Sequence, residues 1–255
     1  MRYLHIVACL VLLCLLPTSA HAILPNCIEL EHKNSYIHIA KIQLNCPYIE
    51  FVGTAPKDKG ISVSQFAEKY QTNVAINANF YQKDFTPVGL VVTQNRAWSN
   101  SRDYKFRVIF ACDKQNRCSI EPRNRLTPPH KNWQIAVSGW QSYNPNTKRF
   151  ECAPNDQIGC SKKIINAHPR TVIGLDETRH LLYLIVVEGR QLTFSGLTLT
   201  ELGELADELH LTSAINLDGG GSSSMVVNGK RISSLPFAQG QERAVSNHFG
   251  VRFKE

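Results

Sequence analysis

One stretch of the chain reads Ala214-Ile215-Asn216-Leu217-Asp218-Gly219-Gly220-Gly221-Ser222-Ser223-Ser224-Met225-Val226-Val227-Asn228-Gly229. A short apolar strand ends in an acid, three glycines follow, and a second strand runs into an Asn-Gly hairpin turn. Adjacent glycines remove side chains where backbone N–H groups can approach a ligand, and they tolerate positive φ. Asp218, at the strand end, projects a carboxylate into that space. The competing reading is a tight hairpin in which Asp218 bonds only its own turn. Phosphate cradles usually feed a helix N-terminus, whereas this run feeds a strand, so neither a P-loop nor a dinucleotide fingerprint fits. Ser222 does not sit in Gly-x-Ser-x-Gly, which excludes a nucleophile elbow.

Other elements must hold this strand end in place. Thr198 with Glu201 three residues later forms a capping box, and Leu202, Leu205, Ala206 and Leu209 share one face of the helix it opens. An earlier helix is expected where Ser62 or Ser64 caps Gln65-Phe66-Ala67-Glu68-Lys69-Tyr70. Strands are expected near residues 36–42, 74–76, 90–92, 106–110, 133–137, 171–175 and 181–187. The stretch from about 112 to 166 is loop-rich, holding Pro122, Pro128, Pro129, Pro145 and Pro154. No internal repeat is apparent. Many strands and few helices in irregular order point to an α+β fold on a mixed, strand-dominated sheet.

The chain opens MRYLHIVACLVLLCLLPTSAHA, with Arg2 before an apolar run from Ile6 to Leu16, then Pro17 and Ala20-His21-Ala22. That is the pattern of a signal peptide, residues 1–22, leaving one domain from Ile23 to residue 255. The apolar run is about half of the ~20 residues that span a bilayer, and no second span follows. Cys9 and Cys14 suggest a lipoprotein instead, but Leu12-Leu13 is too bulky for a lipobox and Cys9 comes too early. The six remaining cysteines, an even number in an exported chain, imply disulfides. Their order suggests the local bridges Cys27–Cys46, Cys112–Cys118 and Cys152–Cys160, and the absence of Cys-x-x-Cys argues against zinc. The formal net charge is +7, with the charges scattered. No nucleic-acid partner is indicated, and a basic balance suits an anionic or phosphate-bearing substrate.

The run from Asn216 to Ser223 resembles the signature of the phosphodiester glycosidases. Further blocks match in order. Ala75-Ile76-Asn77-Ala78-Asn79-Phe80-Tyr81, followed by Pro87-Val88-Gly89-Leu90, is similar to an early Asn-Gly-x-Phe block, with Ala78 where glycine is usual. His168-Pro169-Arg170-Thr171-Val172-Ile173-Gly174 resembles a Pro-Arg-Thr block. Val187-Glu188-Gly189-Arg190 and Gly196-Leu197-Thr198 precede the second helix, and Glu242-Arg243-Ala244-Val245-Ser246-Asn247 closes the set. The resemblance covers about 74–253, while 23–60 and the cysteine-containing insert of about 112–166 match nothing.

This resemblance implies a secreted or periplasmic hydrolase, of a bacterial envelope, that cleaves the anomeric C–O bond of a sugar 1-phosphodiester or related glycan. Such a reaction needs a carboxylate to activate water or stabilise an oxocarbenium-like centre. Asp218 is the first choice for it and Glu188 the second. Arg170 suits the phosphate, because its fork matches phosphate oxygens bidentately. Asn216, Gly219, Gly220, Gly221 and Ser222 complete the substrate and phosphate site, and Asn77 and Asn79 are expected to hold sugar hydroxyls. His168 and His248 are read as loop-shaping rather than acid–base groups, and Arg243 as the structural partner of Glu242. No cofactor is required, although Asn216 and Asp218 offer hard oxygens to a divalent cation. Two other classes stay open: a non-catalytic glycan-binding module of an envelope or exopolysaccharide system, and a phosphodiesterase that cleaves P–O, for which a paired metal site is expected.

Overall fold

The computed structural model describes residues 26–100, 108–122, 131–152 and 165–254. The expected leader, residues 1–22, and Cys160 lie outside them. In chain order the strands are β1 (Ile28–Lys33), β2 (Ile37–Gln43), β3 (Ile49–Gly53), β4 (Val74–Asn77), β5 (Leu90–Thr93), β6 (Arg96–Asn100), β7 (Val108–Asp113), β8 (Cys118–Pro122), β9 (Trp133–Gly139), β10 (Gln141–Asn144), β11 (Arg149–Cys152), β12 (Arg170–Asp176), β13 (Leu181–Val187), β14 (Ser213–Asn216), β15 (Met225–Val227), β16 (Lys230–Arg231) and β17 (His248–Phe253). The described helices are α1 (Val63–Tyr70) and α2 (Leu199–Glu208). Both expected capping boxes are present, Ser62 with Gln65 and Thr198 with Glu201. Among the described residues no helix is long and apolar enough to cross a membrane.

The α+β, strand-dominated fold is as expected, but the strands form three sheets rather than one mixed sheet. They run β1-β2-β13-β12-β14-β10-β11, β16-β15-β4-β17-β3 and β6-β5-β9-β7-β8. Every pairing between these strands is antiparallel. The reason lies in the crossovers. β13 and β14, joined through α2, run the same way, but β12 is inserted between them and opposes both. β17 does the same between β3 and β4, which are joined through α1.

Layering explains why β12 and β13 read as continuous apolar runs. Val172, Tyr183, Ile185 and Val187 face Leu199, Leu202, Leu205, Ala206 and Leu209 around α2. Ile173, Leu175, Leu182, Leu184 and Val186 face the other way, onto Ile76, Phe110, Ile135 and Phe249 of the smaller sheets. A second helix layer closes the far side, where Val63, Phe66 and Ala67 of α1 cover Ala75 and Val226. Every residue of β12 and β13 is therefore buried, so strict period-two alternation disappears. Two expected bridges are formed. Cys27–Cys46 ties the start of β1 to the segment after β2, and Cys112–Cys118 closes the β7–β8 hairpin. Cys152 is disulfide-bonded too; the pairing proposed for it ends on Cys160.

The fold also contains a duplication that the sequence conceals. The arrays β11-β10-β14-β12-β13 and β16-β15-β4-β17-β3 have the same order, and share an edge hairpin, β10–β11 or β15–β16, and one helical crossover. Their registers agree: Gly174 opposes Ala214 in one, and Gly250 opposes Ala75 in the other. Beyond the strands, Leu217 N–H donates to Thr171 C=O at 2.8 Å, and Ala78 N–H to Asn247 C=O at 3.0 Å. Once these are aligned, Gly60-Ile61-Ser62-Val63-Ser64-Gln65 corresponds to Gly196-Leu197-Thr198-Leu199-Thr200-Glu201, and Ala75-Ile76-Asn77 to Ala214-Ile215-Asn216. One unit is contiguous from β10 to β14. The other is split, with β3, α1 and β4 ahead of it and β15 to β17 behind it, so no constant offset relates the two.

At the β9–β10 corner the main chain crosses β14 closely. A Cβ at Gly139 would lie 2.5 Å from the Asn216 carbonyl oxygen and 2.4 Å from an Ile215 side-chain carbon. Neither neighbour has room to retreat, since Ile215 is wholly buried. Gly139→Ala is expected to cost at least ~2 kcal/mol of stability. Denaturant titration checks this, and an unchanged midpoint would contradict the crossing.

Candidate active site

A cleft of about 160 Å³ opens where β12 begins, β14 ends and β10 begins. Phe80, Trp140, Gln141, His168, Pro169, Arg170, Arg190 and the run from Asn216 to Gly220 line it. Arg170, Asn216, Asp218, Gly219 and Gly220 were expected together and are brought together, although Arg170 and Asp218 lie on different strand ends. Phe80 and Trp140, edge to face with centroids 5.9 Å apart, form an aromatic wall. Sequence reasoning missed Trp140 and Gln141. Gln141 enters because it is the register partner of Asn216 across β10–β14, a relation that no local spacing announces.

The strand end carrying Asp218 is fixed by its backbone. Asp218 N–H donates to Ala78 C=O at 3.0 Å, and Asn77 Nδ2 donates to Asp218 C=O at 2.7 Å. A Cβ at Gly219 would lie 2.6 Å from the Pro169 carbonyl oxygen, and Gly220 has φ +62°, so both positions select glycine. The N–H groups are less free than a phosphate cradle requires. Gly220 N–H donates to Pro169 C=O, Ser222 N–H to Gly219 C=O and Ser223 N–H to Gly220 C=O. What the bare backbone admits is arginine: Arg190 reaches the place a Gly220 Cβ would occupy, and Arg243 the corresponding place at Gly221. Arg243 is thus not the partner of Glu242, whose carboxylate instead accepts from Ser224 Oγ at 2.8 Å.

Five predicted residues sit outside the lining: Gly221 and Ser222, further along the glycine run, and Asn79, Asn77 and Glu188. Asn79 is buried and its amide is saturated: Nδ2 donates to Val88 C=O and Leu90 C=O, while Oδ1 accepts from Ser138 N–H and Asn247 Nδ2. It has no capacity left for a sugar hydroxyl. Asn77 is wholly buried, accepting from Thr171 Oγ1 and Ser224 N–H behind the Asp218 backbone. Glu188 is buried against His38 Nε2 at 2.6 Å and accepts from Ser234 N–H at 2.6 Å. Burial alone would raise its pKa, but His38 and Ser234 hold it below the usual carboxylate range. His248 is buried too, stacked on Phe66, and burial lowers its pKa to about 3, so it stays neutral. Asn216 donates through Nδ2 to Gln141 Oε1 at 2.7 Å, while its Oδ1 finds no partner in the protein.

The electrostatics of the cleft are lopsided. Arg170 is buried and donates only to neutral carbonyls, from Nε to Leu197 at 3.0 Å and from Nη2 to Asn166 at 3.1 Å. Burial lowers its pKa to about 10, still cationic at neutral pH. Among the described residues, none of Arg170, Arg190 and Arg243 forms an ion pair with a carboxylate. Asp218 is the one carboxylate of the lining. Although it reaches the cleft, protein surrounds most of it, and burial pushes its pKa up to about 6. The nearby Ser222 hydroxyl, the Gly219 N–H and the Arg243 charge pull the other way. No group of three or more His, Cys, Asp or Glu among the described residues is placed to hold a metal ion. One carboxylate beside the guanidinium groups of Arg170 and Arg190, with the Arg243 charge close by, is a poor donor set for a divalent cation.

A family model described as phosphodiester glycosidase matches residues 70–252. The mouse N-acetylglucosamine-1-phosphodiester α-N-acetylglucosaminidase is 35% identical over 95 residues, which are 37% of this chain and 18% of the mouse protein. A prophage-derived protein of Bacillus subtilis, YomE, is 36% identical over 88 residues, 34% of this chain and 13% of its own length. The chain thus spans less than a fifth of the curated relatives it matches. In fold it is similar to the zebrafish N-acetylglucosamine-1-phosphodiester α-N-acetylglucosaminidase catalytic domain, with a TM-score of 0.69 at 19% identity over 89% of this chain and 82% of that one.

A raised carboxylate pKa means that ionisation burdens the folded state. The burden grows as pH climbs from the ordinary Asp value through about 6 and is complete above that. Asp218→Asn removes it. The variant is expected to melt above the wild type at pH 7.5 and to lose that advantage by pH 4, a comparison made by calorimetry at both pH values. A variant that is less stable at pH 7.5 would show that Asp218 is not held against its own charge.

Proposed function

The chain belongs to the phosphodiester glycosidase family, and on that premise we propose that it is an exported hydrolase cleaving the anomeric C–O bond of a sugar 1-phosphodiester. The observation that carries this reading is the pairing of Asp218 with the unmatched Arg170 guanidinium in one cleft. A buried cation with no carboxylate is costly to hold, and an anionic ligand relieves that cost. A phosphodiester fits, because a guanidinium fork meets two phosphate oxygens at once. Phe80 and Trp140 offer the apolar wall against which a pyranose ring packs. Two disulfides in the described residues suit an oxidising compartment.

In this scheme the bond between the anomeric carbon and the phosphate oxygen breaks, and the phosphate leaves with the bonding pair. Water supplies the new oxygen at carbon and gives a proton to the Asp218 carboxylate. Phosphate is a good leaving group, and Arg170, Arg190 and Arg243 neutralise the charge that grows on it. A general acid is therefore less needed than with an alcohol leaving group. Asn77 supports the reaction from behind by holding the Asp218 backbone, and Glu188 lies outside the cleft lining. The donor set does not fit a divalent cation, so chelation should leave the rate unchanged.

Asp218→Asn is expected to lower the rate at least ~100-fold while the protein stays folded. Because the carboxylate form acts, wild-type kcat/KM should rise with pH through about 6 and fall away below it. Hydrolysis in ¹⁸O-water should label the sugar and leave the phosphate unlabelled. Label in the phosphate would mean P–O cleavage, and glycan binding without turnover of any sugar phosphodiester would mean a recognition module.

A further inference from the structure

Five large apolar side chains are exposed among the described residues: Leu30, Tyr48, Ile165, Leu192 and Phe237. The three most exposed are Leu192 at 80%, Ile165 at 74% and Phe237 at 69%; the segments of Ile165 and Leu192 also supply His168, Arg170 and Arg190 to the cleft lining, and that of Phe237 is bonded to Arg190. Those segments are stitched to one another. His168 and Leu197 exchange both backbone hydrogen bonds, joining the segment that begins at Ile165 to the one that follows Leu192. Arg170 reinforces the join by donating to Leu197 C=O and Asn166 C=O. Leu192 stands at the tip of a tight turn closed by Arg190 N–H to Ser195 C=O and Gln191 N–H to Phe194 C=O. Phe194 of that turn is stacked on Tyr36, and Tyr36 Oη meets Thr193 Oγ1 at 2.9 Å. The turn is therefore anchored by one apolar residue while it presents another to solvent. The third segment carries Phe237, whose N–H donates to Arg190 C=O, and Gln191 Nε2 donates to Leu235 C=O beside it.

Single exposed hydrophobics are ordinary on a protein surface. Their concentration on stitched loops around a cleft lined by the guanidinium groups of Arg170 and Arg190, neither paired with a carboxylate among the described residues, is not explained by packing. The arrangement is amphiphilic, cationic within and apolar at the rim. We propose that the rim is a subsite for an alkyl or prenyl chain borne by the phosphate, so that the substrate is a lipid-linked sugar phosphodiester. This rests on the reading of the cleft as a phosphodiester site. The sugar lies against Phe80 and Trp140, the phosphate among Arg170, Arg190 and Arg243, and the chain continues outward over Leu192, Phe237 and Ile165. A polysaccharide or peptide on the phosphate would bring hydroxyls and amides to that rim, where apolar side chains stand ready to bury methylene groups instead.

The test uses two phosphodiesters without a sugar, dimethyl phosphate and decyl methyl phosphate, the latter below its micelle concentration. Binding of each to the whole protein is measured by calorimetry, in the wild type and in the double variant L192S/F237S. Both substituted side chains are exposed, and matched melting curves verify the fold. The decyl chain is expected to tighten binding to the wild type at least tenfold, in keeping with about 0.8 kcal/mol per buried methylene. In the variant that gain should shrink severalfold while dimethyl phosphate binds as before. Equal affinity of the wild type for the two diesters overturns the proposal, as does a gain that survives in the variant. If neither diester binds, the phosphate site is overturned along with it. Hydrolysis of a methyl-linked sugar phosphodiester with no chain preference removes the lipid subsite and leaves the proposed reaction standing. A chain preference with no hydrolysis does the reverse.

Discussion

The Asn77 amide is the point on which the arrangement of the cleft depends. It stands at the end of β4, in one of the two related halves, and is wholly buried. It accepts from Thr171 Oγ1 on β12 in the other half and from Ser224 N–H beyond the glycines, while its Nδ2 donates to the Asp218 carbonyl. One side chain thereby ties β4, β12 and both flanks of the glycine run. An aspartate there would lose the donor, a leucine all three bonds, each leaving buried polar groups unpaired at about 1–3 kcal/mol apiece. The neighbouring bond from Asp218 N–H to Ala78 C=O joins the halves beside it. The catalytic candidate therefore sits where two units of the same topology meet, and neither unit alone contains the site.

The cleft also holds its charged groups at a cost to stability. Arg170 is held away from solvent with only carbonyl dipoles for company, and Asp218 is packed so that its charge is disfavoured. Each group would be easier to keep if it paired with the other kind of charge locally, as Asp176 does with Arg179 or Asp58 with Lys69. Elsewhere in the fold, buried acids have such partners; Glu188 has His38 and the Ser234 N–H. The contrast separates Glu188 from Asp218 although both are acids near strand ends flanked by glycine. Glu188 is satisfied, and joins the end of β13 to the segment that carries Phe237, Gln239 and Arg243. Asp218 is not.

Local chemistry was legible in the sequence wherever the cause is local. The two capping boxes, the Asn228-Gly229 turn and the hairpin bridge Cys112–Cys118 all follow from residues a few positions apart. The acid followed by glycines located the cleft for the same reason. Long-range relations were not legible. Gln141 and Trp140 reach the cleft because β10 pairs with β14, and Asn79 is consumed by Ser138 and Asn247, 59 and 168 residues away. The glycines were expected to bare N–H groups, yet the N–H groups of Gly220, Ser222 and Ser223 bond nearby carbonyls, and the space the glycines open admits arginine. The duplication escaped notice because a pattern search along the chain assumes that copies follow one another, and here one copy is wrapped around the other.

That wrapping has a consequence for how the protein comes to be folded at all. β3 and β4 are made early, but the strand that must lie between them, β17, is made last among the described strands. Until it arrives, two strand edges stand open a strand's width apart, with α1 on one side and no lateral partner for either. A chain emerging N-terminus first, from a ribosome or a translocation pore, cannot close this sheet in passing. It must keep a gap available for a strand still to come, while the contiguous half from β10 to β14 is free to assemble in order. The molecule thus has an early-completing half and a late-completing one, and its interval of greatest vulnerability to edge-to-edge association falls between them.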